Sequence, residues 1–117
     1  MTRCLAIDDD SLFLKMLAVF CNDMDDVELV GTYENPVEGV MACVKAKPDV
    51  LLLDLEMPYL SGFEALETLD KFPKIIVISG HLSANTDAQI PIDKFLSKAD
   101  LMSSDTLHNA IKEVTAK

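Results

Sequence analysis

The stretch VLLLD at residues 50–54 decides the fold of this chain of 117 residues. Four consecutive apolar residues without alternation are typical of a strand in a parallel sheet whose two faces are both covered by helices. A second apolar run behaves in the same way, because LAIDDD at residues 5–10 also ends abruptly in carboxylates. If the two runs are neighbouring parallel strands, their acids converge at one end of the sheet.

That convergence requires a cation from outside the chain. Two carboxylates about 4 Å apart repel each other by roughly 4 kcal/mol at an effective dielectric constant near 20. Carboxylate oxygens without a supporting cluster of thiolates or imidazoles favour Mg²⁺, which commonly shares its coordination shell with a phosphate. The sequence therefore predicts a site for a metal ion and a phosphoryl group.

Strand and helix patterns alternate five times along the chain. The apolar runs of strand type begin near Cys4, Val27, Val50, Ile75 and Asp93. This alternation predicts an α/β fold, a (βα)₅ doubly wound parallel sheet of five strands, within a single domain over residues 1–117. Ligands of such sheets bind beyond the carboxyl ends of the strands, which selects Asp8, Asp9, Asp54, Ser79 and Lys98 as the candidate site.

The predicted helices have recognisable starts. Asp10 and Asn35 are expected to cap the first two helices, and Ser103 or Ser104 to cap the last one. The stretch SGFE at residues 61–64 has the spacing of a capping box. Residues 82–90 are only weakly amphipathic and end at Pro91, so the fourth helix is expected to be short or irregular.

Helical periodicity also predicts which side chains are buried. The expected apolar faces are Leu12, Met16, Val19 and Phe20 in the first helix, Val37, Val40, Met41 and Val44 in the second, Phe63, Leu66 and Leu69 in the third, and Leu107, Ala110, Ile111 and Val114 in the last. Each set recurs at the spacing of one helix face.

Composition excludes several classes of function. With 10 basic and 20 acidic side chains, the formal net charge of −10 opposes binding to nucleic acid or to anionic lipid. The sequence has neither an apolar run long enough to span a membrane nor the pattern of a signal peptide, so we expect a cytoplasmic protein. Cys4, Cys21 and Cys43 lie within apolar patterns and are expected to be reduced core residues.

The ordered motifs resemble the CheY-like receiver domain of bacterial two-component response regulators. The set consists of IDDD at 7–10, LDLEMP at 53–58, SG at 61–62, ISG at 78–80, and Lys98. The resemblance covers essentially the whole chain and implies a flavodoxin-like sheet with strand order 2-1-3-4-5. It also implies that the chain is a phosphoprotein of phosphorelay signal transduction rather than an enzyme.

The resemblance implies a role for each site residue. Asp54 would accept a phosphoryl group, and Asp9, Asp54 and the backbone carbonyl of Glu56 would bind Mg²⁺, with Asp8 acting mainly through bound water. Ser79 and Lys98 would hold phosphoryl oxygens, and Gly80 would leave room for the group to approach the backbone. Ser79 and Phe95 would form the switch. Glu56 and His81 are expected to tune the lifetime of the phosphorylated state.

Three features depart from the family pattern. Lys98 precedes Ala99, where most receivers have a proline that is usually in the cis form, so a trans bond is possible here. Phe95 lacks the hydroxyl group of the tyrosine that many receivers carry. The stretch between Ser79 and Lys98 is short, which makes the output surface the least typical part of the chain.

The resemblance also implies the partners. We expect a stand-alone receiver that takes its phosphoryl group from a histidine kinase or a histidine phosphotransfer protein and acts on a separate protein target. It would be a monomer or a phosphorylation-dependent dimer. Two alternatives remain open: a Mg²⁺-dependent phosphatase with an aspartate nucleophile, and a degenerate receiver that binds partners without phosphorylation.

Overall fold

A computed structural model describes residues 1–54, 73–80, 92–101 and 103–116 of the chain. The strands are β1 (Thr2–Ile7), β2 (Val27–Tyr33), β3 (Val50–Leu53), β4 (Lys74–Ser79) and β5 (Lys94–Ser97). The helices are α1 (Ser11–Asn22), α2 (Pro36–Ala46) and α3 (Ser104–Thr115), and a 3₁₀ turn covers Lys98–Asp100. The helices predicted around residues 61–69 and 82–90 lie outside the described ranges.

The five strands form one parallel sheet in the order β2-β1-β3-β4-β5, as predicted. The three central strands are almost entirely buried, which explains why their sequences are apolar without alternation. Since neighbouring strands run in the same direction, the residues that follow them meet at one end of the sheet. We call this end the carboxyl rim and the opposite end the amino rim.

The predicted caps of α1 and α2 are confirmed. One carboxylate oxygen of Asp10 accepts hydrogen bonds from the backbone N–H groups of Leu12 and Phe13, at 3.0 and 3.3 Å. Asn35 caps α2 in the same way, and Pro36 occupies the first turn, where its missing N–H costs nothing. Ser103 lies at the cap position of α3, although its side chain makes no capping hydrogen bond.

The predicted apolar face of α1 is buried only in part. Met16 and Phe20 pack against the core, but Leu12 and Val19 are 73% and 62% exposed, and the helix buries a neighbouring stripe more deeply. That stripe consists of Phe13, Leu14, Leu17 and Cys21. Because α1 is apolar around most of its circumference, two stripes fit the helical period equally well, and packing against the sheet selects one of them.

The predicted face of α2 is also buried only in part, for a steric reason. Val37, Met41 and Val44 are exposed, although Val40 is buried as predicted. The helix turns its small side toward the sheet, where a Cβ added at Gly39 would lie only 2.6 Å from the Cδ1 atom of Ile7. This close approach requires a residue without a side chain at the contact.

The predicted face of α3 is confirmed, because its four apolar residues are all buried. With α1, α3 covers one face of the sheet, and α2 covers the other. The three cysteines are buried and free, as expected. Burial raises the pKa of the Cys4 thiol to about 12 and the pKa values of Cys21 and Cys43 to about 11, so these thiols stay protonated.

Candidate functional site

The register of the central strands brings the acids of two separate motifs together. Ile7 at the end of β1 lies beside Leu53 at the end of β3, so the residues that follow them, Asp8 and Asp54, lie level at the carboxyl rim. The Asp54 backbone N–H donates a 3.0 Å hydrogen bond to the carbonyl of Ile7. The hydrogen bonds between β1 and β3 therefore continue as far as Asp54 and fix the position of its backbone.

Three carboxylates form a compact cluster at this rim. One oxygen from each of Asp8, Asp9 and Asp54 lies within 4.8 Å of the others. Asp8 and Asp54 are each 2% exposed, whereas Asp9 is exposed. Charged groups this close together repel one another, most strongly where they are shielded from water. A neighbouring positive charge would therefore stabilise the cluster.

Asp8 has one oxygen engaged by the backbone and one that accepts no hydrogen bond from the described residues. Its Oδ1 accepts a 2.8 Å hydrogen bond from the backbone N–H of Asp10, while its buried Oδ2 accepts none from the described part of the chain. Burial, with repulsion from Asp54 added, raises the pKa of the Asp8 carboxyl to about 6. The Asp10 N–H and Lys98 oppose this shift without cancelling it.

Among the described residues, Lys98 brings positive charge to the carboxylate cluster. Its Nζ lies 3.0 Å from Asp8 Oδ2 and 3.6 Å from Asp54 Oδ2. The first distance is that of a close ion pair. Burial lowers the pKa of Lys98, but Asp8 and Asp54 more than offset this effect, so the ammonium stays charged.

The backbone after β5 holds Lys98 in a short turn. Lys98 begins the 3₁₀ turn, and the hydroxyl of Ser97 caps this turn by accepting a 3.2 Å hydrogen bond from the Ala99 N–H. The described residues contain no cis peptide bond, so the bond between Lys98 and Ala99 is trans. The chain thus places the lysine at the carboxyl rim without the usual proline.

One neighbour of Lys98 was not anticipated from the sequence. The Lys98 Nζ lies 4.6 Å from the centre of the Phe13 ring, a distance at which a cation is attracted to an aromatic face. Phe13 follows the acids by less than two helical turns. This short spacing after the cap at Asp10 is the sequence signal that could have drawn attention to it.

The remaining described candidates occupy the ends of β4 and β5. Ser79 is 3% exposed and pairs in register with Ser97, directly before Lys98. Gly80 is exposed beyond it. Phe95 is 45% exposed on β5, beside Val77. The roles expected for Ser79, Gly80 and Phe95 stay predictions, and Glu56 and His81 lie outside the described residues.

None of the helices in the described ranges combines the length and the apolar character needed to cross a bilayer.

The chain is similar to known proteins. The sequence model described as "Response regulator receiver domain" matches residues 4–112. The transcriptional regulatory protein BtsR of Escherichia coli (strain K12) is 44% identical over 70 residues, which cover 60% of this chain and 29% of BtsR. Protein-glutamate methylesterase/protein-glutamine glutaminase 4 of Hahella chejuensis is 32% identical over 127 residues, which cover 97% of this chain and 33% of that enzyme.

The fold has solved counterparts. In the crystal structure of the P1 domain of CheA3 in complex with CheY6 from R. sphaeroides, the matched chain has a TM-score of 0.79 and 20% identity. The match covers 99% of this chain and 98% of that one. The chain spans about a third of the length of the curated relatives described above.

Proposed function

Because this chain belongs to the family of response regulator receiver domains, we propose that Asp54 accepts a phosphoryl group from a histidine kinase or a histidine phosphotransfer protein. The observation that carries the proposal is the position of Lys98, whose ammonium pairs with Asp8 and Asp54 beside three clustered carboxylates. Phosphorylation then changes how the chain binds another protein.

In the proposed reaction a phosphoryl group moves from a histidine nitrogen of the donor to a carboxylate oxygen of Asp54. A carboxylate oxygen of Asp54 attacks the phosphorus atom, a P–O bond forms, and the P–N bond of the donor phosphohistidine breaks and leaves the imidazole. A carboxylate is a weak nucleophile unless cations neutralise the charge on the transferring phosphoryl oxygens. Asp54 lies at the end of a buried strand and is 2% exposed, so water supplies little of that neutralisation.

The residues at the carboxyl rim fit Mg²⁺. The cluster offers hard oxygen donors, and the buried Oδ2 of Asp8 has no hydrogen bond from the described residues. Asp8, Asp9 and Asp54 would hold the ion, together with the backbone carbonyl that the family places at Glu56. Bound there, Mg²⁺ would supply positive charge to the carboxylates and to the transferring group.

Lys98 and Ser79 complete the proposed phosphoryl site. Lys98 already faces the acceptor, with 3.6 Å between its Nζ and Asp54 Oδ2, so it is placed to pair with a phosphoryl oxygen on Asp54. Ser79 contributes a buried hydroxyl donor from the end of the adjacent strand β4. Gly80, directly after it, lets the phosphoryl group approach the backbone.

The proposed switch uses the two strands next to the acceptor. The hydrogen bond from the Ser79 hydroxyl to the phosphoryl group draws that residue toward Asp54, and Phe95, on the neighbouring strand, changes its position in response. Phe95 is 45% exposed on β5, so its ring is not held in the core in this structure. Phosphorylation would thereby shift an existing equilibrium between two conformations.

The donor protein must reach the carboxyl rim, and α1 borders it. Leu12 is 73% exposed in the first turn of α1, directly after the acids, and Val19 is 62% exposed two turns later. We propose that the phosphohistidine donor packs against these two side chains, in the cytoplasm. The net charge of −10 favours a donor or target with a basic surface.

Incubation with acetyl phosphate and Mg²⁺ tests the proposal directly. The wild-type protein is expected to gain the mass of one phosphoryl group, and Asp54→Asn to gain none. Asp49→Asn is a matched control, because Asp49 and Asp54 flank the same strand at opposite ends. A modified Asp54→Asn variant, or an unmodified wild-type protein, would contradict the proposal.

The same experiment separates the two alternatives. Steady release of phosphate from phosphomonoesters would indicate a phosphatase that uses Asp54 as its nucleophile. Failure to bind beryllofluoride or to accept a phosphoryl group would indicate a degenerate receiver. Modification at Asp54 without turnover supports the switch.

A further inference from the structure

We propose that Phe13 is a positioning residue that holds the Lys98 ammonium at the phosphoryl site through the face of its ring. The inference rests on the proposed function, since it assigns the Lys98 ammonium to the phosphoryl group. Its geometric basis is the 4.6 Å distance between the Lys98 Nζ and the ring centre. This distance is well within the roughly 6 Å over which an aromatic face attracts a cation.

Phe13 is itself fixed in place by the fold. Its backbone N–H is bound to the capping carboxylate of Asp10, and its side chain is 8% exposed within the core that α1 shares with the sheet. An aromatic side chain has few rotatable bonds, so packing fixes the direction of its ring face at little entropic cost. The ring is therefore a rigid surface at the carboxyl rim.

Lys98 needs such a surface because its other partners belong to the reaction. Asp8 and Asp54 attract the ammonium in this structure. In the proposed reaction the same two carboxylates share their charge with Mg²⁺ and with the phosphoryl group, which weakens their hold on the lysine. The attraction of the neutral ring does not depend on that charge.

The ring limits the movement of a flexible lysine whose ammonium must be placed accurately at the phosphoryl site. The Lys98 side chain is 23% exposed, on a long stem that starts from a short 3₁₀ turn. Holding such a chain against a ring reduces the number of positions it samples before the phosphoryl group arrives. Phe13 thus acts through Lys98 and does not touch the phosphoryl group itself.

A series of fluorinated phenylalanines at position 13 tests the inference. Added fluorine atoms withdraw electron density from the ring face while nearly preserving its shape. With beryllofluoride and Mg²⁺ as the probe, the dissociation constant is expected to rise step by step, reaching about threefold to tenfold for the trifluoro ring. An unchanged constant across the series would overturn the inference.

Two controls separate the ring face from a change in packing. Phe20 lies on the same helix and is partly buried, so the same replacements there are expected to leave the dissociation constant unchanged. In Lys98→Met protein, fluorination of Phe13 is expected to have no effect, because the cation is gone. A fluorine effect that persists without the lysine would show that Phe13 acts only through packing.

Proton NMR on the metal-free protein tests the contact independently of phosphorylation. The ε-methylene protons of Lys98 are expected to be shifted upfield by the ring, relative to those of Lys94 at the start of β5. Phe13→Leu should remove that shift. If beryllofluoride fails to bind wild-type protein, the proposed function fails, and this measurement still decides the inference: an unshifted Lys98 would refute it.

Discussion

Aspartates occupy both rims of the sheet, and their surroundings differ. At the amino rim, Asp49 and Asp93 directly precede β3 and β5. Asp49 Oδ2 accepts a 2.9 Å hydrogen bond from the backbone N–H of Arg3, and the Asp49 N–H donates at 2.8 Å to the Arg3 carbonyl. Asp93 makes the same reciprocal pair with Ile75, with both bonds at 2.9 Å. These carboxylates extend the ladders between neighbouring strands.

At the carboxyl rim the carboxylates lie close to one another. The Oδ2 of Asp8 accepts no hydrogen bond from the described residues, and the cluster it shares with Asp9 and Asp54 pairs with Lys98. Residue type alone therefore does not decide the surroundings of an aspartate. Backbone N–H groups meet the charge of the carboxylates at the amino rim, whereas those at the carboxyl rim face one another and Lys98.

Replacing the lysine that follows β5 gives the largest expected effect, with the lysine that begins β5 as its control. Lys98→Met is expected to slow phosphorylation by acetyl phosphate by on the order of 100-fold, because one preorganised charge next to the transferring group is lost. Lys94→Met should leave the rate nearly unchanged, since Lys94 pairs with Glu113 on α3 at 2.7 Å. Stopped-flow or quench measurements in Mg²⁺ check both. Equal effects of the two variants would contradict the contrast between the two rims.

Removing the charge of one aspartate is expected to raise stability at the carboxyl rim and to change it little at the amino rim. In metal-free protein near pH 7, Asp8→Asn should raise the free energy of unfolding by about 1–2 kcal/mol, because it relieves a buried carboxylate of repulsion from Asp54. The pKa of Asp8, raised to about 6, leads to the same expectation. At pH 7 the carboxyl group is charged although the folded environment disfavours the charge, so its ionisation lowers the stability of the fold.

At Asp49 the hydrogen-bond acceptor matters more than the charge. Asp49→Asn keeps an oxygen for the Arg3 N–H and should change stability little, while Asp49→Ala should lower it by about 1 kcal/mol. Urea denaturation with a chelator present measures all three variants. A loss of stability in Asp8→Asn, or no loss in Asp49→Ala, would count against the contrast between the rims.

The smallest effect is expected at Asp26, which precedes β2 at the amino rim. Its Oδ1 lies 2.7 Å from the His108 Nε2 on α3, and this contact lowers the pKa of the Asp26 carboxyl below its ordinary value of 3.8. The charged form is thus favoured by folding, so its contribution is present above that ordinary value and is lost as the pH falls through the lowered one.

Denaturant midpoints of wild type and Asp26→Asn from pH 6 to pH 2 measure this contribution. Their difference should be small at pH 6, because Asp26 is well exposed, and should vanish at the acidic end. A difference that grows with acidity would contradict the assignment. Asp25→Asn provides a neighbouring exposed carboxylate as the control.

Much of the fold was predictable because it depends on local pattern. Unbroken apolar runs such as residues 50–53 indicate buried parallel strands, and Asp10 and Asn35 mark helix starts by their capping chemistry. The buried face of α3 was predictable for a related reason: its apolar residues are separated by polar ones, so only one stripe fits. In α1 and α2 several stripes fit, and periodicity alone did not select the one that is most deeply buried.

The sequence by itself determined that acids follow β1 and β3 and that a lysine follows β5, and the parallel sheet then had to bring them to one rim. Tertiary structure decided what depends on contacts between distant segments. It selected the buried faces of α1 and α2, engaged Asp49 and Asp93 in the ladders, and set Phe13 over Lys98. The physical reason is that periodicity and capping act within one element, whereas close packing and strand register act between elements that no local pattern relates.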